Sequence, residues 1–203
     1  MNRPTTDEYF MAMAHLVSER STCLRRKVGA VMVKNKQVLS TGYNGAPKGL
    51  PHCEDLGGCM RRGDIHPPYI DIFLEEYKEN KDIDKEKMME EIDFFPKKGE
   101  SVKSGRRHEL CRAVHAEQNA IIQAAVSGAS IKGSKLYCTT YPCVVCAKML
   151  INAEIKEIIY DGEYTDSLSE NMLKQSDIKV RQFEGDKKDM QETIASYLKE
   201  KEK

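Results

Sequence analysis

His115-Ala116-Glu117 and, further along, Pro142-Cys143-Val144-Val145-Cys146 are the stretches whose residue types and spacing could do chemistry. One imidazole and two thiols suit a tetrahedral Zn²⁺, and three protein ligands leave its fourth position open. An open position marks a catalytic rather than a structural zinc, because water bound there is acidified to a pKa of about 7. Glu117 stands two residues beyond His115, close enough to handle the protons of that water. Each half is ambiguous alone: a CxxC pair also serves redox chemistry or structural zinc. Together, with helix-forming residues after both halves, they point to a catalytic zinc.

Both halves need particular elements to hold them. After His115 the chain runs Ala116, Glu117, Gln118, Asn119, Ala120, Ile121, Ile122, which is strong helix-forming material. Pro142 is tolerated at or before the first turn of a helix, and Cys143 and Cys146 then share one face. Two helix N-termini aimed at one cation favour thiolates and developing negative charge. Upstream, Thr5 to Glu8 has capping-box spacing, and Tyr9, Met13, Leu16 and Val17 form a helical stripe expected in the core, with His15 as packing or surface. Strands are expected at residues 28–33 and 37–42 with a hairpin loop at 34–36. A strand at 134–139, a helix at 143–152, a strand at 157–160, a helix at 166–175 and a strand at 178–183 follow. Such alternation predicts an α/β layered sheet. Met190, Ile194, Tyr197 and Leu198 place a further helical face in the tail.

The 203 residues suit a single domain over 1–203, with an inserted charged helical segment at about 61–105. Within that segment Ile72, Phe73, Tyr77, Ile83, Met88, Met89 and Ile92 recur at roughly helical spacing among Asp, Glu and Lys. A lid, an oligomer contact and a decorated loop all remain open for it, and His66 has no partner pattern. Hydrophobic content of 40% supports a core, and charged content of 32% a well-solvated surface. A formal net charge of zero argues against a large polyanion as main partner, so nucleic acid is not expected, although a local basic patch could hold one phosphate. No apolar run is long enough to span a bilayer, and the N-terminus does not read as a signal peptide. Seven cysteines without such a signal point to the cytoplasm, with thiols on metal rather than in disulfides.

Four motifs carry a family resemblance: Lys27-Val28-Gly29-Ala30-Val31, Gly42-Tyr43-Asn44-Gly45, His115 through Ile121, and Tyr141 through Lys148. With them the chain resembles the cytidine/deoxycytidylate deaminase superfamily, and within it the deoxycytidylate (dCMP) deaminase branch with its competence-associated bacterial relatives. The resemblance implies a cytidine-deaminase-like three-layer αβα fold with a mixed central sheet and a helical insertion. It implies hydrolytic loss of ammonia from C4 of a cytosine ring, dCMP giving dUMP for thymidylate synthesis, with Glu117 as the proton carrier. By pattern alone Gly42 to Pro47 is a turn; the resemblance makes Asn44 a substrate contact, with Tyr141 from the last motif. Arg25, Arg26, Lys27 and Arg112 are the cations available for a phosphate, and by sequence they could equally be solvated. Some relatives hold a second, non-catalytic zinc. By position Cys23, Cys53, His108 and Cys111 match it, with Cys59 as the leading substitute, against a plain set of buried thiols; Cys138 reads as a small core residue. Relatives are homo-oligomers, often hexamers, with dCTP and dTTP as effectors, so Mg²⁺ accompanying a nucleotide effector is a further expectation. Competing readings are deamination of dCTP or an RNA base, a riboflavin-pathway deaminase, and a non-enzymatic zinc-binding protein of the same fold.

Overall fold

Five short strands that send alternate side chains to opposite faces form the centre of the computed structural model, which describes residues 3–65, 99–103, 106–162 and 166–185. The strands are β1 (Gly29–Lys34), β2 (Gln37–Tyr43), β3 (Lys135–Cys138), β4 (Glu157–Tyr160) and β5 (Lys179–Gln182), in the order β2-β1-β3-β4-β5. β1 is antiparallel to both β2 and β3, whereas β3, β4 and β5 are parallel, so the sheet is mixed. The β1–β2 hairpin turns on Asn35 and Lys36, both in the left-handed region (φ 51° and 63°), which matches the twist of paired strands. The helices are α1 (Thr6–Ser18), α2 (Ala116–Val126), α3 (Val144–Asn152) and α4 (Ser167–Lys174).

The pleat assigns each strand residue to a layer. Ala30, Met32, Leu136, Cys138 and Ile158 face one way and pack with Ala116 and Ala120 of α2, Ala147 and Leu150 of α3 and Leu173 of α4. Val31, Val33, Tyr137 and Ile159 face the other way and pack with Phe10, Met11 and Ala14 of α1. The described residues thus form three layers, as expected. An ion network ties α1 to the strands beneath it. Asp7 accepts from the Tyr137 hydroxyl (2.7 Å) and Arg181 Nη2 (2.6 Å), and Glu157 pairs with Arg181 Nε (2.7 Å) and Lys135 Nζ (2.6 Å).

The capping box at Thr5 and Glu8 is formed, and of the expected core stripe of α1 Met13 and Val17 pack against the core while the other half does not. Tyr9 and Leu16 are exposed, and the buried positions are Phe10, Met11, Ala14 and Ser18. Close approach decides the rotation. A Cβ on Gly29 would stand 1.9 Å from the Ala14 carbonyl oxygen, so the glycine lets the helix backbone rest on β1 where only small residues fit.

The core just described lies in one compact unit, Met1–Ser21, Arg26–Gly45 and Val114–Lys203; Thr22–Arg25 and Ala46–Ala113 form a second. The described residues of the second unit form loops and two single 3-10 turns, Met60–Arg62 and His108–Leu110. Arginines satisfy its main-chain carbonyls: Arg25 Nη2 donates to Val102 O (2.7 Å), Arg61 Nη2 to Arg106 O (2.6 Å) and Arg112 Nε to Pro51 O (2.7 Å). The expected inserted helices, His66 and the tail helix lie outside the described residues. Among the described residues no helix is long and apolar enough to cross a membrane.

Candidate active site

The expected ligands come from the starts of two helices in the first unit. His115 is the N-cap of α2 (φ −73°, ψ 159°), and its backbone N–H donates to Gln118 Oε1 at 2.8 Å. Cys143 is the N-cap of α3 (φ −70°, ψ 167°), and Cys146 is the third residue of that helix. Extended N-caps followed by helix turn the side chains inward while leaving the first amides unpaired along the chain. His115 Nδ1 lies 3.4 Å from the sulfur of Cys143 and 3.4 Å from that of Cys146. A tetrahedral zinc with ordinary Zn–N and Zn–S bonds sets such edges at about 3.5 Å, so the donor set fits. The carboxylate of Glu117 joins His115 and Cys146 in a cluster whose ligand atoms all lie within 4.8 Å of one another.

Burial and mutual contact set the charges. The hydrogen bond from Cys146 takes the Cys143 thiol down to about 4, aided by His115 and opposed by burial. Cys146 is pushed the other way by the same hydrogen bond and by its own burial. The shared hydrogen bond thus favours a thiolate at Cys143, the form that binds metal. Glu117 is 3% exposed. Burial pushes its carboxyl up to about 7 and Cys143 adds to the rise, while His115 and a hydrogen bond with Cys146 oppose it. A carboxyl balanced near neutrality both accepts and returns protons.

The pattern of the cytidine and deoxycytidylate deaminase zinc-binding region matches residues 4–161. The chain belongs to the cytidine and deoxycytidylate deaminase family. Deoxycytidylate deaminase of Schizosaccharomyces pombe is 30% identical over 182 residues, covering 89% of this chain and 45% of that protein. ComE operon protein 2 of Bacillus subtilis is 31% identical over 187 residues, covering 92% of this chain and 75% of that protein. Among solved structures, the dCMP deaminase of cyanophage S-TIM5 in complex with dCMP and dUMP aligns with a TM-score of 0.60 at 28% identity. That alignment covers 90% of this chain and all of the phage chain. The chain spans about half the length of the two yeast deoxycytidylate deaminases it matches (45% and 46%).

The other expected site residues of this deaminase-family chain sit as follows. Asn44 is 7% exposed. Its Oδ1 accepts from Ser21 Oγ (2.6 Å) and Val28 N (2.8 Å), and its Nδ2 donates to Arg26 O (2.9 Å), which leaves one Nδ2 hydrogen over. Tyr141 is 8% exposed and meets the Tyr160 ring edge-on at 4.8 Å between centroids. Burial, then Glu170, pushes its hydroxyl up to about 12. Lys27 pairs with Glu19 (2.6 Å), Arg25 and Arg112 hold main-chain carbonyls of the second unit, and Arg26 is solvent-exposed. Cys138 is fully buried in the core, as expected. Cys23, Cys53, Cys59 and Cys111 are thiols of the second unit, and His108 opens one of its 3-10 turns. Residues not singled out in the sequence also build the site: Ser21 holds Asn44, and Asp166 and Ser169 hold the turn that carries Cys143. Asp166-Ser167-Leu168-Ser169 is legible as a helix N-cap, but nothing local announces its second role.

Proposed function

We propose that this chain deaminates dCMP hydrolytically to dUMP, a zinc-dependent step that supplies dUMP for thymidylate synthesis. The observation that carries it is the His115–Cys143–Cys146 donor set with the buried Glu117 carboxylate in the same cluster. A structural zinc has no use for that carboxylate, which disfavours a non-enzymatic zinc-binding protein. Zinc bound there supplies a water acidic enough to act as nucleophile at neutral pH. Glu117 would carry one water proton to N3 of the cytosine and then the second, from the hydroxyl added at C4, to the amine, which leaves as ammonia. The N-termini of α2 and α3 lend positive potential to the charge that builds up. The phage enzyme whose complex holds dCMP and dUMP supports the substrate class.

Asn44 and Tyr141 are the proposed substrate contacts, Asn44 through its remaining Nδ2 hydrogen to a sugar hydroxyl. Arg25, Arg26, Lys27 and Arg112 are the proposed cations for the phosphate, and Arg26 is solvent-exposed. A second, structural zinc is proposed in the second unit. Burial pushes the Cys53 thiol up to about 11, and the neighbouring Cys59, Cys23 and Cys111 add to the rise. A zinc ion would deprotonate such neighbouring thiols together, and the effect of Cys59 on Cys53 favours Cys59 over His108 as the fourth ligand beside Cys23, Cys53 and Cys111. The dianion so formed would face Arg25, whose own pKa is lowered by burial and by Arg61 and raised by Cys59, Cys23 and Cys111. A single domain with an inserted segment, a homo-oligomer as large as a hexamer, control by dCTP and dTTP with Mg²⁺, and a cytoplasmic location complete the proposal.

Ammonia release from dCMP, dCTP, deoxycytidine, CMP and adenosine, with metal counting on the same sample, tests all of this. Turnover of dCMP above the rest, with two zinc ions per chain, is the expected result. Conversion of dCTP or an RNA base with dCMP untouched replaces the substrate, and one zinc ion removes the second site.

A further inference from the structure

We propose that Asp166 and Ser169 are positioning residues for the metal site, clamping the main chain on both sides of the ligand Cys143. Pro142 precedes that cysteine and Val144 follows it, so the Pro142 carbonyl and the Val144 N–H bracket the ligand's own backbone. The Ser169 hydroxyl is 0% exposed and donates to the Pro142 carbonyl at 2.7 Å. Asp166 Oδ2 accepts from Val144 N at 3.0 Å, while Oδ1 of the same carboxylate accepts from Leu168 N and Ser169 N at 3.1 Å each. One carboxylate therefore caps two helices, α4 by its own chain position and α3 from 22 residues away.

Geometry rather than charge explains the arrangement. An anion one residue from Cys143 opposes formation of the thiolate, so Asp166 does not stand there to activate the sulfur. What it supplies is a fixed direction. Cys143 is an N-cap and cannot use an intrahelical bond to hold the Val144 amide, and Pro142 has no N–H to anchor the approach to it. With both flanking groups tied to the first turn of α4, the Cα–Cβ bond of Cys143 keeps its aim at His115 and Cys146 without the metal. Groups that orient metal ligands carry about 10–100-fold of metal affinity when removed. One buried and one partly buried hydrogen bond to adjacent peptide groups place Asp166 and Ser169 in that class.

This inference rests on the cluster binding zinc, and one series on the full chain separates the two. Zinc affinity is measured by chelator competition, and the cobalt(II) form is read through its thiolate charge-transfer and d–d bands. Wild type is expected to bind tightly and Cys143→Ser to bind far more weakly. Wild type taking up no zinc overturns the metal reading itself. Asp166→Ala and Ser169→Ala are expected to lose about 10–100-fold in zinc affinity and to shift the cobalt bands. Ser169→Thr, which keeps the hydroxyl, is expected to restore both. Lys174→Ala, which removes an exposed ion pair on α4 and touches neither flanking group, is expected to change neither. Unchanged affinity and unshifted bands in folded Ser169→Ala, or an equal loss in Lys174→Ala, overturn the proposal. Should Asp166→Ala fail to fold, the two Ser169 variants and Lys174→Ala decide it alone.

Discussion

A carboxyl group that is 3% exposed sits at position 117 because its neighbours make the charge useful there. Two sulfurs and an imidazole surround it, and burial brings it to about 7. Glu117→Gln keeps the shape and removes the proton traffic. Zinc content is expected to stay at the wild-type level while dCMP turnover falls by about 10²–10⁴-fold. Near-normal turnover at full zinc occupancy would remove Glu117 from the mechanism. His115→Ala is expected to act earlier, lowering zinc per chain as well as rate, which metal counting on purified protein reads directly. At this scale the sequence was most legible. His115, Glu117, Cys143 and Cys146 lie at spacings that a helix start alone converts into a cluster. Asn44 was legible only as a polar residue in a turn, since its three hydrogen bonds reach Ser21, Arg26 and Val28 across a fold-back of the chain.

Elements aim these residues, and the helix that begins at His115 makes a close backbone contact at Gly42. A Cβ there would lie 2.2 Å from Ala116 O and 2.4 Å from Ala120 N, so α2 rests with its first turns directly on β2. Since His115 and Glu117 lie at the start of that helix, pushing it away moves imidazole and carboxyl together. Gly42→Ala is expected to cost about 1–3 kcal/mol, with a parallel fall in zinc affinity. Urea unfolding and chelator competition measure the two. An unfolding midpoint and a zinc affinity both equal to wild type would contradict so tight a contact. Strand and helix types were readable from period and capping, with ends shifted by at most one residue. The buried face of α1 was readable only in part. Met13 and Val17 pack against the core, but Tyr9 and Leu16 are exposed, and the close contact at Gly29 falls to the small residues Ala14 and Ser18.

Across the whole sheet the Asp7–Arg181–Glu157–Lys135 network gives stability a dependence on pH. Burial would raise Glu157, but hydrogen bonds from Lys135 and Arg181 outweigh it and hold the carboxyl at about 2. An unfolded glutamate titrates at about 4.3. A depressed carboxylate stabilises the fold above the unfolded value and loses that contribution as pH falls towards the folded one. Wild type is therefore expected to exceed Glu157→Gln in stability at pH 6, with the gap closing between about pH 4 and 2. Urea titrations at several pH values with chelator present throughout keep zinc loss out of the comparison. A gap that stays constant down to pH 2 would show that Glu157 is not held ionised by the network. The partners of Glu157 lie 22 residues before it in β3 and 24 after it in β5, and only the sheet order makes them neighbours.

The sequence by itself determined the donor set and the kinds of element. Ligand types, the spacing of Cys143 and Cys146, the carboxyl two residues beyond His115 and the alternating strands are properties of short segments, and local sterics and hydrogen bonding suffice to express them. Only the tertiary structure decided which face of α1 is covered, which thiols of the second unit act on Cys53, and what grips the turn bearing Cys143. Each of those depends on groups far apart in the chain that packing brings within a few ångströms, and no local period encodes such a meeting.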